Sequence, residues 1–305
     1  MRQRPGARAY LALAAVCFFW GTTYLGIRMS LETFPPYVLI STRFILSGVI
    51  MLAGALARGA RLPRGRDLWK AGLSGILILS IGNGCLTFAE LRIASGLASL
   101  VITLSPFWLV GIEAMARGGE RLHPPTILGM IVGFGGAALL VSGGVGSGGI
   151  GPAALVGFLI LQVGMISWSA GSIYQRRQQV DAHPIVVGAV QQVFGGLAVL
   201  PFAVFASSHH IAWSARGVSA LFYLVTFGSI VGYSAYVYAL DRLPVAVVSI
   251  YPYANSVVAV ALGWLFYREP FGVREAAAML VIFAGVAVVK WQGGKAALAK
   301  MEVEA

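Results

Sequence analysis

The stretch LGWLFYREPFGV, residues 262–273, closes an apolar run with the charged pair Arg268-Glu269 and then Pro270. An earlier stretch, GIEAMARGGERLHP at 111–124, also places a glutamate, Glu120, where an apolar run stops. Glu120 and Glu269 are 149 positions apart in a chain of 305, close to half its length. A local pattern repeated at that spacing points to an internal duplication, which reads the whole fold differently from a string of unrelated helices.

Sliding the second half onto the first extends the match. At an offset of 148, Trp20 meets Trp168, Arg28 meets Arg176, Pro36 meets Pro184 and Gly48 meets Gly196. After one inserted residue the offset becomes 149, and Ser80-Ile81 meets Ser229-Ile230, Leu91 meets Leu240, Met130 meets Met279 and Gly136 meets Gly285. Matches among apolar residues carry little information. Charged, Trp and Pro matches kept in order carry more, and they make the chain two copies of one unit.

Composition says where the units live. The chain is 58% hydrophobic and only 11% charged, whereas soluble domains are about a quarter charged. Its apolar residues fall in runs near 20 long, the length a helix needs to cross about 30 Å of hydrocarbon at 1.5 Å per residue. Gly, Pro and charge punctuation divide them into ten: about 9–27, 37–57, 70–89, 94–116, 124–142, 152–174, 184–206, 216–239, 244–266 and 272–291. The expected fold is an all-α integral membrane protein of ten transmembrane helices. Five spans per copy is an odd number, so the second copy enters the bilayer from the opposite side and the two five-helix repeats are inverted. The expected division is a first repeat at 1–145, a second at 150–291 and a short cytoplasmic tail at 292–305.

The net charge of +11 does not indicate nucleic acid, because the basic residues sit between apolar runs and not on one polar face. With the N-terminus inside, inner segments hold Arg2, Arg4, Arg8, Arg58, Arg61, Arg64, Arg66, Lys70, Arg117, Arg121, Arg176, Arg177, Arg242, Lys290, Lys295 and Lys300. Outer loops hold Arg28, Arg92, Arg216, Arg268 and Arg274. This bias predicts both termini in the cytoplasm of a cell-membrane (inner-membrane) protein with several passes. The first run resembles a signal peptide, with three arginines before AYLALAAVCFFWG, but no polar mature domain follows, so it reads as the first span. Cys17 and Cys85 both fall in apolar runs and read as small packing residues.

At this point the residues resemble a family, the ten-helix EamA-type members of the drug/metabolite transporter superfamily. The resemblance rests on FFWGTTYLGIR in the first span, STRFILSG in the second and ASGLASLVITLSPFWLVGIEAMARGGERL across the fourth. It rests also on LPVAVVSIYPYANSVVAVALGWLFYREPF across the ninth and on the closing MLVIFAGVAVV. It implies a carrier of small metabolites, often an exporter of amino acids or related solutes. Two departures stand out: Arg268 precedes Glu269 where the family usually has glycine, and ARGGERL makes a looser turn. Inverted repeats place a site near the bilayer midplane at their interface, opened alternately to each side by rocking.

Polar side chains within spans are the first candidates for that site, since each costs free energy in hydrocarbon. Arg43 lies about two turns into the second span; its planar fork suits a substrate carboxylate or phosphate, while the structural reading has it snorkel or hold helix carbonyls. Asn83, between Gly82 and Gly84, can donate and accept where the backbone can bend; a packing kink is the alternative. Gln191 and Gln192 align with Arg43 and Phe44, which puts polar groups at one depth in both halves. Trp20, Tyr24, Trp168, Tyr233, Tyr236, Tyr251 and Tyr253 could line a cavity for flat or apolar side chains, or simply pack. Trp69, Trp213 and Trp291 read as interface anchors. Pro106 aligns with Asn255, both mid-span, and Pro252 lies one turn earlier; these are candidate hinge and binding positions.

Coupling is expected to be downhill or by exchange, or to run through Glu90, because no carboxylate lies deep within a run, Glu90 and Glu113 falling near span ends. GVGSGG at 144–149 fits G-x-G-x-x-G but joins two membrane helices, so it reads as a linker. His209-His210 has no further Cys or His nearby, so neither metal nor cofactor is expected. A polytopic membrane enzyme would need a nucleophile and base or a metal cluster at one depth, which the sequence does not supply; a multidrug efflux carrier is the other alternative. The expected partners are a small-molecule substrate and the lipid bilayer, in a monomer or homodimer. Glu120 and Glu269 are expected to favour the positive N-terminal end of the helix that follows each.

Overall fold

The structure, a computed structural model, describes residues 7–116, 122–142, 152–178, 180–206, 211–243, 245–248 and 250–303. Glu120, the 144–149 segment and His209-His210 lie outside the described residues. Every regular element among those described is helical. In chain order these are α1 (Ala7–Leu31), α2 (Pro36–Ala57), α3 (Arg66–Ala89), α4 (Ser95–Ile102), α5 (Ser105–Met115) and α6 (Pro124–Ser142). There follow α7 (Pro152–Arg177), α8 (Pro184–Ala206), α9 (the continuous pieces Ala215–Tyr223, Leu224–Val231 and Gly232–Arg242), α10 (Val245–Val248), α11 (Tyr251–Tyr267) and α12 (Val273–Val303). Among the described residues, seven helical runs are long and apolar enough to cross a membrane: α1, α2, α3, α4 with α5, α7, α8 and α9.

Local chemistry sets the ends. Pro36, Pro124, Pro152 and Pro184 each open a helix, where the missing N–H costs nothing and the fixed φ is already helical. Ser214 caps α9, its hydroxyl accepting from the Gly217 N–H at 3.0 Å. Arg268 ends α11 at φ 51° and ψ 38°, the left-handed region that favours glycine. The segment expected as a separate tail continues the last helix, which runs unbroken from Val273 to Val303.

The molecule is apolar outside as well as inside. Leu128, Ile131, Phe205, Trp264 and Leu265 are exposed, each more than half, as suits a surface facing lipid and not water. The buried polar groups among the described residues are Ser and Thr, many of them donating back to their own helix as Ser30 does to Gly26 and Ser99 to Gly96, and Gln and Asn, together with Arg43, Glu90 and Glu269. A central cluster of Tyr24, Ile27, Leu39, Leu100, Phe107, Leu161 and Ile282 joins α1, α2, α4, α5, α7 and α12.

At two helix crossings the approach to backbone contact is reciprocal. A Cβ on Gly48 would meet the Val193 nitrogen at 2.7 Å and the Ala189 oxygen at 2.9 Å; one on Gly196 would meet the Ile45 nitrogen at 2.8 Å and the Ser41 oxygen at 2.9 Å. Every residue in the second set is the first set's counterpart shifted by 148. Between α6 and α12 the same exchange occurs at a shift of 149: Gly136 faces the backbone of Ile282 and Ala278, and Gly285 faces that of Gly133 and Gly129. Glycine is required at these crossings because a side chain would strike main chain, which cannot yield.

Two π-helical stretches interrupt α3 and α9, at Ile76–Asn83 and Leu224–Val231. They too are 148 apart. A second pair of irregularities breaks the fourth and ninth apolar runs, at Thr103–Leu104 and at Ile250. Here the structure revises a sequence alignment: Pro106 and Pro252, not Pro106 and Asn255, hold the same place, each in the first turn of the helix after the break.

Candidate functional site

The π turn of α9 organises a polar and aromatic patch. Widening a helix by one residue per turn leaves carbonyls without their usual partners, which is why such turns collect at functional positions. Gly228 lies in this turn, and its carbonyl accepts from the Trp20 indole N–H at 3.0 Å. A Cβ at Gly228 would stand 2.8 Å from the Thr23 methyl and 3.2 Å from Arg43 Nη2. The glycine therefore lets α1 and Arg43 of α2 close on α9 together. The Arg43 Nε donates to Ser229 Oγ at 3.0 Å, and the guanidinium lies 5.0 Å from the Phe44 ring centroid. Arg43 is 6% exposed, and Nε carries its one hydrogen bond among the described residues.

Aromatic rings flank this turn. Trp20 lies 5.1 Å from both Tyr236 and Tyr251, tilted against the first and edge-on to the second, and the two tyrosines are 5.7 Å apart. Tyr24, one helical turn beyond Trp20, is buried, and Tyr233 packs its ring on Gly188 of α8. Glu90, just past the end of α3, is 4% exposed, and neither of its carboxylate oxygens has a hydrogen-bond partner among the described residues. It lies within electrostatic reach of Arg43, Arg28, Glu269 and Tyr24.

Other candidates are placed apart from this patch. The Gln191 amide donates to Ser74 Oγ at 3.0 Å, and Gln192 accepts from Ser47 and donates to Met51 Sδ at 3.1 Å. Both glutamines thus join α8 to α2 and α3. With its amide nitrogen turned toward them, Asn255 donates to the carbonyls of Cys17 at 2.8 Å and Tyr251 at 2.9 Å, joining α11 to α1. Tyr253 meets Phe283 edge-on at 5.2 Å. Asn83 ends the π turn of α3 with a buried side-chain oxygen that accepts no hydrogen bond among the described residues. Trp168 packs against Gly82 in the same turn. Gly228 and Ser229 are absent from the sequence-based candidates: Ser229 was visible only as the repeat partner of Ser80, and nothing local announces a π turn.

Glu269 goes elsewhere than the following helix. Its Oε1 accepts from the Ser95 N–H at 2.9 Å and hydroxyl at 2.8 Å, and its Oε2 accepts from the Gly96 N–H at 2.9 Å. The carboxylate thus caps α4, from the first half of the chain, where the orphan N–H groups and the helix dipole both favour an anion. Arg28 flanks it at 3.6 Å. Glu113, at the end of α5, pairs with Arg176 at 2.7 Å and Arg177 at 3.0 Å. Among the described residues no three His, Cys, Asp or Glu side chains gather in a way that could hold a metal ion.

Comparisons with known proteins agree with this architecture. The chain is 33% identical over 291 residues to the uncharacterized inner membrane transporter YedA of Escherichia coli, covering 95% of this chain and 92% of that one. It is 24% identical to the uncharacterized transporter YvbV of Bacillus subtilis, covering 95% and 93%. Over 159 residues, 52% of this chain and 54% of the other, it is 31% identical to the aromatic amino acid exporter YddG of Ancylobacter novellus. A crystallised protein shares the fold with a TM-score of 0.66 at 22% identity, covering 95% of this chain and 98% of that one. The model of the EamA-like transporter family matches twice, at residues 7–142 and 155–291. Spanning nearly the whole sequence, those two matches make this membrane protein a member of the EamA-like transporter family.

Proposed function

We propose that this protein carries a small carboxylated metabolite, an amino acid or related solute, across the inner membrane, in the direction of export, by alternating access between two inverted five-helix repeats. The repeats are 1–145 and 150–291, giving ten spans with both termini in the cytoplasm. Three features support the repeat arrangement, which five spans in each half would make inverted: the two family matches, the reciprocal glycine contacts at shifts of 148 and 149, and the paired π turns. Opposed repeats that meet through glycine-lined crossings can rock against each other without unpacking.

The observation that carries the substrate reading is Arg43. A buried guanidinium offers five donors, and here the protein accepts from one of its nitrogens. Beside it stands the ring cluster of Trp20, Tyr236 and Tyr251. A carboxylate would take the fork in bidentate fashion while an apolar or aromatic side chain lies against the rings. The YddG relative is named for that type of cargo.

Transport in proteoliposomes tests it, with a panel of amino acids, sugars and cationic drugs and with folding checked by thermal unfolding. The reading expects carboxylated solutes to move, and Arg43→Gln to slow them at least about tenfold, as for loss of a charge-assisted hydrogen bond. Arg43→Lys should recover only part of the rate, since a point charge cannot hold a carboxylate by two parallel bonds. Movement of drugs alone, or full activity of Arg43→Gln, would overturn it.

A further inference from the structure

Glu90 is the outlier among the acidic groups. Glu269 accepts three hydrogen bonds, Glu113 pairs with two arginines and Asp67 pairs with Lys70 at 2.9 Å. Glu90 is as buried as any of them and accepts none among the described residues. Taking a carboxylate out of water without replacing its donors costs several kcal/mol, so such a group is kept for something other than stability.

The groups facing Glu90 narrow what that is. From α1 come Arg28 and Tyr24, from α2 comes Arg43, and beyond α11 lies Glu269. Arg28 is already engaged: it donates to the Ile93 carbonyl at 3.4 Å, lies 3.6 Å from Glu269 and stacks 4.9 Å over Tyr267. Glu269 is spent on Ser95 and Gly96. That leaves Arg43, whose terminal nitrogens, like the Glu90 oxygens, have no hydrogen-bond partner among the described residues. The two groups sit on neighbouring helices, both buried, where Phe88, two residues before Glu90, packs in one cluster with Ile40 and Phe44 beside Arg43, yet they do not pair within 4.0 Å. Opposite charges held close but apart are a receptor for a molecule that carries both signs.

We propose that Arg43 and Glu90 form a two-pole site for a zwitterion, Arg43 taking the carboxylate and Glu90 the ammonium of an α-amino acid. The assignment rests on the substrate reading above and deepens it. A simple carboxylate would satisfy Arg43 and add a second anion near Glu90; a simple amine would do the reverse. A molecule with both groups on one carbon satisfies each pole and brings no net charge into a low-dielectric interior. Discrimination then comes from the pole that a wrong ligand leaves unpaired.

Binding to the purified full-length protein tests it, read through Trp fluorescence and checked by transport. The probes are phenylalanine, 3-phenylpropionate, which lacks the ammonium, and 2-phenylethylamine, which lacks the carboxylate, with alanine, propionate and ethylamine as the small series. The expected result is that an amino acid binds at least tenfold better than either of its analogues. Glu90→Gln should remove that preference by weakening the amino acid and leaving the carboxylate as tight or tighter, and Glu90→Asp should restore part of it. Arg43→Gln should weaken the amino acid and the carboxylate and spare the amine. If carboxylates bind and move as well as amino acids, or if Glu90→Gln weakens all ligands equally, the zwitterion site falls while the carrier of carboxylated solutes stands. If no carboxylated solute binds or moves, both fall.

Discussion

At the scale of single residues, the two halves of Arg268-Glu269 do opposite things to stability. Arg268 holds a left-handed conformation at φ 51°, which costs a residue with a Cβ about 1–2 kcal/mol relative to the right-handed form. Arg268→Gly should relieve that strain, less about 0.5–1 kcal/mol for the greater freedom of glycine in the unfolded chain. The expected net gain is up to about 1.5 kcal/mol, seen as a higher midpoint in thermal unfolding in detergent, with Arg268→Val shifting it the other way. Glu269→Gln should be costly, because a carboxylate accepting two N–H groups and a hydroxyl is replaced by an amide whose NH2 must face one of those donors. Losing one charge-assisted bond and orphaning a buried donor predicts a loss of about 2–3 kcal/mol in the same assay. A variant as stable as the parent would mean the cap contributes nothing.

At the scale of elements, the helical character of the runs was legible because the bilayer leaves little choice: outside a closed barrel a backbone without water must be helical, and a helix must be about 20 residues long to cross. Proline at the first helical position of α2, α6, α7 and α8 marked their starts in the sequence. The π turns and the breaks at Thr103–Leu104 and Ile250 were not legible, since hydrophobic run length is blind to where a helix widens or stops inside the run. Of the candidate site, Trp20, Tyr24, Arg43, Tyr236 and Glu90 were readable as costly or aromatic groups at depth. The sequence did not show how differently the repeat partners Arg43 and Gln191 are engaged, because that difference is a neighbour: Ser74 lies within reach of the Gln191 amide, whereas Arg43 meets Ser229 through one nitrogen. Likewise the destination of Glu269, a helix end 174 residues away, is a tertiary fact. The glycine crossings make a prediction at this scale. Gly48→Val and Gly196→Val each push a side chain into backbone, so each should lower stability by about 1–3 kcal/mol, as overpacked cores do. Gly54→Ala is the control, with nothing near its Cβ position. Equal stability of all three would show that α2 and α8 separate easily.

At the scale of the whole molecule, orientation decides which way the two-pole site opens, and the surface tryptophans can report it. Trp213 meets Phe34 edge-on at 5.8 Å, just before the N-terminal end of α2, and Trp69 follows the other end of that helix. Twenty-two residues of helix separate the two ends by about 33 Å at 1.5 Å per residue, the thickness of the hydrocarbon core. Both tryptophans are exposed, 73% and 68%, so a cysteine at either position would meet a reagent on its own side. The arginine and lysine bias predicts Trp69 in the cytoplasm and Trp213 outside. With Cys17 and Cys85 replaced by alanine, a membrane-impermeant maleimide added to intact cells should modify Trp213→Cys and spare Trp69→Cys until the membrane is permeabilised. The reverse pattern would invert the molecule. It would also exchange the sides from which Glu90 and Arg43 receive their cargo, so that the same alternating cycle would have to be read as uptake where export is proposed.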